Sequence, residues 1–282
     1  MRRHKLTDSL FRYFGIFCTF FGLVVLTIFI GKIVLMGIDR IDWNFLTGLP
    51  SRKAEKAGIY TAWVGSVWIV VLTSLIALPV GISAGVYLEE YSKKNRWSSL
   101  LEINIANLAA IPSIIYGILG LEIFVRTMKF GQSVLSGACT LALLILPIII
   151  VATRESIKAV PDSIRQASYA MGATQWQTVW HQVLPAASGG ILTGIILAIS
   201  RAVGETAPLI VIGALAYVAF VPETPMDEFT VLPMQIFNWT SRPSQAFLTN
   251  AAAGIIILLI ITFALNALAV YLRYKWQNKI RY

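Results

Sequence analysis

The sequence predicts an all-α membrane protein with six transmembrane helices, and three observations predict it. Of its 282 residues, 57% are apolar and only 13% are charged, against roughly 45–50% and about 25% in an ordinary soluble domain. Mean hydropathy is +0.72. Six stretches reach the about 20 mainly apolar residues that a helix needs to cross a hydrocarbon core of about 30 Å. A chain this poor in polar residues cannot cover a water-facing globule of its size, which excludes a soluble two-domain enzyme.

The six spans are expected near 14–38, 61–88, 101–124, 134–152, 188–220 and 246–271. The start, MRRHKLTDSLFRYF, has the charged flank of a secretory signal. The apolar run after it is about 24 residues, too long for a signal core, and no small-x-small cleavage site follows, so it reads as a permanent first span. The fifth stretch is over-long and is expected to tilt, break, or begin at the membrane surface. Helix-loosening residues recur: Pro79 with Gly81 and Gly85, Pro112 with Gly117 and Gly120, Pro147, and Pro208 after Gly204. They fit ordinary tolerance of Pro and Gly in membrane helices, and equally fit mobile helices around a path.

The excess of 23 Lys and Arg over 14 Asp and Glu, a formal +9, is explained by where the cations fall. With the N-terminus cytoplasmic, one side holds Arg2, Arg3, Lys5 and Arg12, then Lys93, Lys94 and Arg96, then Arg154, Lys158 and Arg165, then Arg273, Lys275, Lys279 and Arg281. The other side holds half as many, with Lys32 and Arg201 left inside spans. This bias puts both termini inside and leaves no basic groove for nucleic acid. Cys18 and Cys139 lie in apolar runs and suggest neither a disulfide framework nor a thiolate site. His4 and His181 are too few for a metal cluster. No metal and no cofactor are expected.

The connection at 154–187 is patterned like two helices rather than a loop. Pro161 and Asp162 suit a helix start, and Gly172 suits a left-handed stop. Thr174 with Gln177 fits a capping box that opens a second helix, and Leu184-Pro185 limits it before the next span. Ala167 and Ala170 offer a small-residue face. Local physics alone leaves two readings, an interfacial hairpin that merely connects spans and a surface that another subunit approaches.

This segment resembles the cytoplasmic "EAA" loop of ABC-importer permeases of the MetI-like type, whose pattern is E-A-A, three residues, G, nine residues, I-x-L-P. Here it is Gln166-Ala167-Ser168, three residues, Gly172, and Leu184-Pro185 at the matching distance. Gln166 replaces the Glu, Ser168 the second Ala, and Gln182 with Val183 stands around the usual Ile. The resemblance implies that Gln166, Ala167, Ser168, Gly172, Leu184 and Pro185 contact a separate ATPase. No phosphate-cradling G-x-x-x-x-G-K-[ST] is present, so hydrolysis is expected on a partner chain.

Span five carries the richest chemistry, RAVGETAPL at 201–209. An arginine deep in a span costs roughly 2.5–3.5 kcal/mol on insertion scales and normally faces a cavity or partner. Glu205, four residues on, reaches the same face, and Pro208 cannot donate to the carbonyl of Gly204. The pair fits a structural lock between helices; it also fits an anion checkpoint, since a guanidinium suits a tetrahedral oxyanion. RAVGETAPL closely resembles the corresponding helix of phosphate-specific ABC permeases of the PstA type, and VLPMQIFNWTSRP at 231–243 resembles their outer loop. The likeness runs over 61–267.

It implies an importer permease of the MetI-like fold in a bacterial cytoplasmic membrane, with Arg201, Glu205 and Thr206 in the translocation path and no catalytic residue. Residues 1–60 would form a tail, first helix and outer loop, and 61–282 the permease domain. Implied partners are a PstC-type second permease, an ATPase dimer and an extracytoplasmic phosphate-binding protein. Sulfate or molybdate import and an ion-gradient-driven carrier are the alternatives. A membrane-embedded enzyme lacks any nucleophile–base constellation here.

Overall fold

The computed structural model describes residues 2–93, 95–214 and 217–280, and almost all of them are helical. Lys94 and Arg281, counted above among the orienting cations, lie outside the described residues, as does the 215–216 part of the expected fifth span. In chain order the helices are α1 (Arg2–Gly37), α2 (Trp43–Thr47), α3 (Tyr60–Val86), α4 (Arg96–Leu108), α5 (Ser113–Gly120), α6 (Val134–Lys158), α7 (Asp162–Ala170), α8 (Gln175–Thr178), α9 (Leu184–Gly204), α10 (Ala207–Ile212), α11 (Leu232–Thr240) and α12 (Gln245–Ile280).

Among the described residues five helices are long and apolar enough to cross a membrane, and the bent pair α4–α5, counted as one span, makes a sixth. The third expected span is thus not one rod: it turns through 101° between Leu108 and Ser113. Pro112 stands at that corner with φ −54 and ψ 134. It has no N–H to continue a helix and pushes the residue before it out of the helical region. The Tyr116 hydroxyl donates to the carbonyl of Leu108 at 2.8 Å and pins the corner from the far side.

The centre of the bundle is α3, α6 and α9. In lipid, helices gain from close backbone approach more than from burial as such, and small residues mark the contacts. A methyl added to Gly194 of α9 would stand 2.2 Å from Cβ of Ala152 on α6, and one on Gly85 of α3 would stand 2.7 Å from Cβ of Thr153. Leu141, Ile145, Ile149, Ala198 and Leu209 fill the space between them. By contrast α1 is almost entirely uncovered by the rest of the chain. It is held at its C-terminal end, where Gly37 presses on the backbone of Ala252 and Ala253.

At one end of the bundle, the cap end, residues 41–59 fold over α11 and α12. Asp42 caps α2 by accepting from the Phe45 N–H at 2.7 Å, and the rings of Phe45 and Trp239 meet at 5.8 Å. Arg40 donates to Asn250 Oδ1 at 3.0 Å and to the carbonyls of Glu55 and Ala57 at 2.9 and 3.1 Å. At the opposite end, the hairpin end, α7 and α8 form the helical hairpin that the sequence predicts.

Candidate functional site

The fifth span breaks at Glu205–Thr206, one of the three outcomes its over-long apolar run allows. α9 ends at Gly204, Glu205 leaves the helix at φ −75 and ψ 122, and α10 begins at Ala207 with Pro208 in its first turn. Thr206 sits in the break, its carbonyl accepting from Ile210 at 3.0 Å. Arg201, in the last turn of α9, donates from Nε to Glu205 Oε1 at 3.3 Å. The pair therefore forms, although Glu205 sits just past the helix end and not on its regular face. Within this chain the guanidinium is not buried: the Arg201 side chain is 39% exposed and that of Glu205 17%.

Arg201 belongs to an exposed stripe on α9 that includes Gly190, Leu197 and Gly204, bounded by α6 and α12. Two polar rungs seven residues apart tie α9 to α12 along the edge of this stripe. The Ser200 hydroxyl donates to Asn266, and Arg273 donates to the Thr193 hydroxyl at 2.9 Å. On the other flank, α3, α9 and α12 enclose a groove of about 460 Å³ lined by Val71, Leu75, Ile199 and Leu268. So apolar a space does not suit an anion, whereas the stripe carries the Arg201 guanidinium.

The hairpin is built from the capping signals. Pro161 precedes α7, Asp162 opens it, and Gly172 takes φ +83, a left-handed conformation that β-branched residues avoid. Thr174 Oγ1 accepts from the Gln177 N–H while Gln177 Oε1 accepts from the Thr174 N–H at 2.9 Å. Gln166, Ala167, Ala170 and Gly172 are exposed on the hairpin. Ser168 is half-buried and bonded to the Thr178 hydroxyl at 2.8 Å. The rings of Trp176 and Trp180 stack at 5.7 Å on its outer surface.

Leu184-Pro185 does not stop the second helix as expected. The backbone widens into a π turn at Val179–Val183 and runs on into α9, with Pro185 accommodated in the first turn of that helix. The wider turn removes the helical demand for an N–H at that position, so proline no longer breaks the helix. Leu184 is half-buried against Ile157, Val183 and Ile191, so Leu184 and Pro185 lie apart from the exposed face of the hairpin.

Sequence reasoning used Arg154 and Arg165 only as topology markers, yet they organise the hairpin end. Arg154 on α6 bridges two carboxylates, Glu89 at 3.0 Å and Glu102 at 2.8 Å. Arg165 on α7 meets Glu90 at 2.7 Å, and this hydrogen bond is the main reason its guanidinium pKa lies above the ordinary value. Two adjacent carboxylates at a span's end, in YLEEY, were the signal available. Glu122 pairs with Arg126 at 3.1 Å, and Lys32, left inside the first span by the sequence, is exposed. Among the described residues no group of three His, Cys, Asp or Glu could hold a metal ion, and both cysteines are free.

Residues 77–278 match the family described as "Binding-protein-dependent transport system inner membrane component". The chain is 34% identical over 250 residues to the phosphate transport system permease protein PstA of Yersinia pestis, covering 88% of this chain and 84% of that one. It is 32% identical over 258 residues to PstA of Haemophilus influenzae, covering 92% and 89%. To a probable ABC transporter permease protein, YqgI, of Bacillus subtilis it is 28% identical over 278 residues, covering 93% and 94%. Among solved structures, it superposes on an inward-facing MetNI methionine ABC transporter with a TM-score of 0.60 at 17% identity, covering 77% of this chain and 95% of that one. On a bacterial alginate ABC transporter in complex with its pentasaccharide-bound periplasmic protein the TM-score is 0.68 at 12% identity, covering 96% and 97%. At such low identity these two likenesses speak for the fold.

Proposed function

The chain belongs to the binding-protein-dependent transport system inner membrane components, and from that premise we propose how it carries out its task. It is a multi-pass permease subunit of an ATP-driven phosphate importer, a transport component and not itself an enzyme. It works with a partner permease, an ATPase and a substrate-binding protein.

The observation that carries the site assignment is the Arg201 guanidinium, held by Glu205 at the broken end of α9 and exposed on a stripe its own chain leaves uncovered. Arginine offers planar paired donors to a tetrahedral oxyanion. Glu205 occupies the guanidinium when no anion is there and competes with the anion afterwards, which keeps binding weak enough for release. Thr206, in the break, adds a hydroxyl at the same level. A second permease of the PstC type faces the stripe and completes the path. The hairpin end is cytoplasmic, as is each terminus, and Gln166, Ala167, Ser168 and Gly172 dock on one subunit of an ATPase dimer, with Leu184 and Pro185 seating the hairpin on α9. The binding protein engages the cap end.

The test is reconstitution of the chain with these partners and measurement of ATP-dependent phosphate uptake against sulfate competition. Uptake that sulfate suppresses as well as phosphate does would overturn the phosphate assignment. In the same system Arg201→Ala should lower uptake by about tenfold or more, the size of losing a charge-assisted hydrogen bond to the anion of about 1.5–3 kcal/mol, while the complex still assembles. Uptake at normal rates in an assembled complex would remove Arg201 from the path.

A further inference from the structure

The end of α3 is grasped from two sides. Its last residues form a π turn, Tyr87–Tyr91, in which Glu89 and Glu90 follow one another and point to different neighbours. Glu89 receives Arg154 of α6, and Arg154 also binds Glu102 of α4. Glu90 faces the hairpin, and its side chain is only 7% exposed. Its Oε1 accepts from both Nε and Nη2 of Arg165, at 3.1 and 2.7 Å. Arg165 is itself fixed from the α6 side, donating to the carbonyls of Ile157 in the last turn of α6 and of Val160 in the α6–α7 connection at 3.1 and 2.8 Å, and to Asp162 of its own helix at 3.2 Å. The main-chain carbonyl of Glu90, one of those a helix end leaves without a helical partner, accepts from Gln175 Nε2 of α8 at 2.6 Å. Both helices of the hairpin thus hold the same residue, α7 through its carboxylate and α8 through its carbonyl.

We propose that Glu90 and Arg165 are positioning residues that form the joint through which movement of the α7–α8 hairpin is passed to α3, and from α3 through Glu89 and Arg154 to α6 and α4. This rests on the reading of the hairpin as the ATPase contact. Apolar contacts between the hairpin and α3, such as those around Ile82, Val86 and Ile164, can slide without a large change in energy. A nearly buried carboxylate gripping a fixed guanidinium cannot, because separating the two leaves each charge without its partner.

The experiment uses the full transport complex in proteoliposomes and reads phosphate taken up per ATP hydrolysed. In Glu90→Ala the ATPase should still co-purify, while the ratio falls about tenfold, a size typical of coupling between two sites. Glu90→Ala combined with Arg165→Ala should be no worse than Glu90→Ala alone. A second readout is amide hydrogen exchange at 87–91 with and without ATP, which should change in the wild-type complex and stay constant in the variant. If Glu90→Ala is not recovered as a complex, Glu90→Gln, which keeps an acceptor and removes the charge, is measured in its place. A wild-type ratio together with a wild-type exchange response in the recovered variant overturns the joint. The exchange readout needs no substrate. A wild-type complex that fails to take up phosphate therefore counts against the transported ion, while exchange still decides the joint.

Discussion

Each end of the bundle is organised around arginines that gather several acceptors, one at the cap end and two at the hairpin end, and the two ends work in opposite ways. At the cap end Arg40 donates mainly to neutral groups, Asn250 and the carbonyls of Ala54, Glu55 and Ala57. Its guanidinium also lies 4.9 Å from the centre of the Phe45 ring. Around it Phe45, Ile59, Leu232 and Trp239 are fully or almost fully buried. At the hairpin end Arg154 and Arg165 reach carboxylates on other helices, and the aromatic rings of Trp176 and Trp180 are exposed. The cap is thus a packed block whose geometry depends on shape, and the hairpin end is a set of charged joints between helices. A block resists deformation, whereas a joint transmits it.

The sharpest way to break this comparison is to empty the block. Trp239→Ala removes the largest buried side chain of the cap and should cost about 3–5 kcal/mol, read as a lowered thermal midpoint of the purified protein. Arg154→Ala should cost less, about 2 kcal/mol, because its charge-assisted bonds are half-buried and partly replaced by water. If Arg154→Ala destabilised more than Trp239→Ala, the assignment of shape to one end and charge to the other would be reversed.

Gly172→Val is smaller again. Nothing lies within 4 Å of an added Cβ, so the cost is the backbone's alone, about 1–2 kcal/mol for a left-handed residue. Its effect should appear as reduced recovery of the ATPase on co-purification, and undiminished recovery would show that hairpin geometry does not govern docking.

The smallest effect concerns Asp227 in the turn that meets the start of α6. The amides of Thr224 and Glu223 and the Thr224 hydroxyl donate to its carboxylate and hold its pKa below the ordinary 3.8. The contribution of this carboxylate is therefore complete above that value and is lost as pH falls through the lowered one. Protection of the amides of residues 223 and 224, relative to free amides at the same pH, should be lost only in strong acid; a loss near neutral pH would assign the turn's order to something else.

Features set by residues close in sequence were legible. The left-handed Gly172, the Thr174–Gln177 box and the Arg201–Glu205 spacing each depend on a few neighbouring positions, and each stands in the structure. The third span's corner was only hinted at by Pro112, because proline is also compatible with a gently kinked helix. Pro185 misled for a related reason: its usual effect assumes a regular α turn, and the π turn before it removes that assumption. Glu89 with Arg154 and Glu90 with Arg165 lie 65 and 75 residues apart. No periodicity relates them, so their pairing follows only once α3 and α6 are packed.

The π turn at Val179–Val183 has a mechanical meaning. Because the helix does not stop at Pro185, Gln175–Gly204 is a single rod of 30 residues, about 45 Å long at roughly 1.5 Å per residue. Trp176 sits at one tip and Arg201 near the other. A tilt of about 5° at the hairpin swings the guanidinium through about 3 Å, roughly the length of one hydrogen bond. A small change of angle at the hairpin is thereby multiplied into a displacement of atomic size at Arg201.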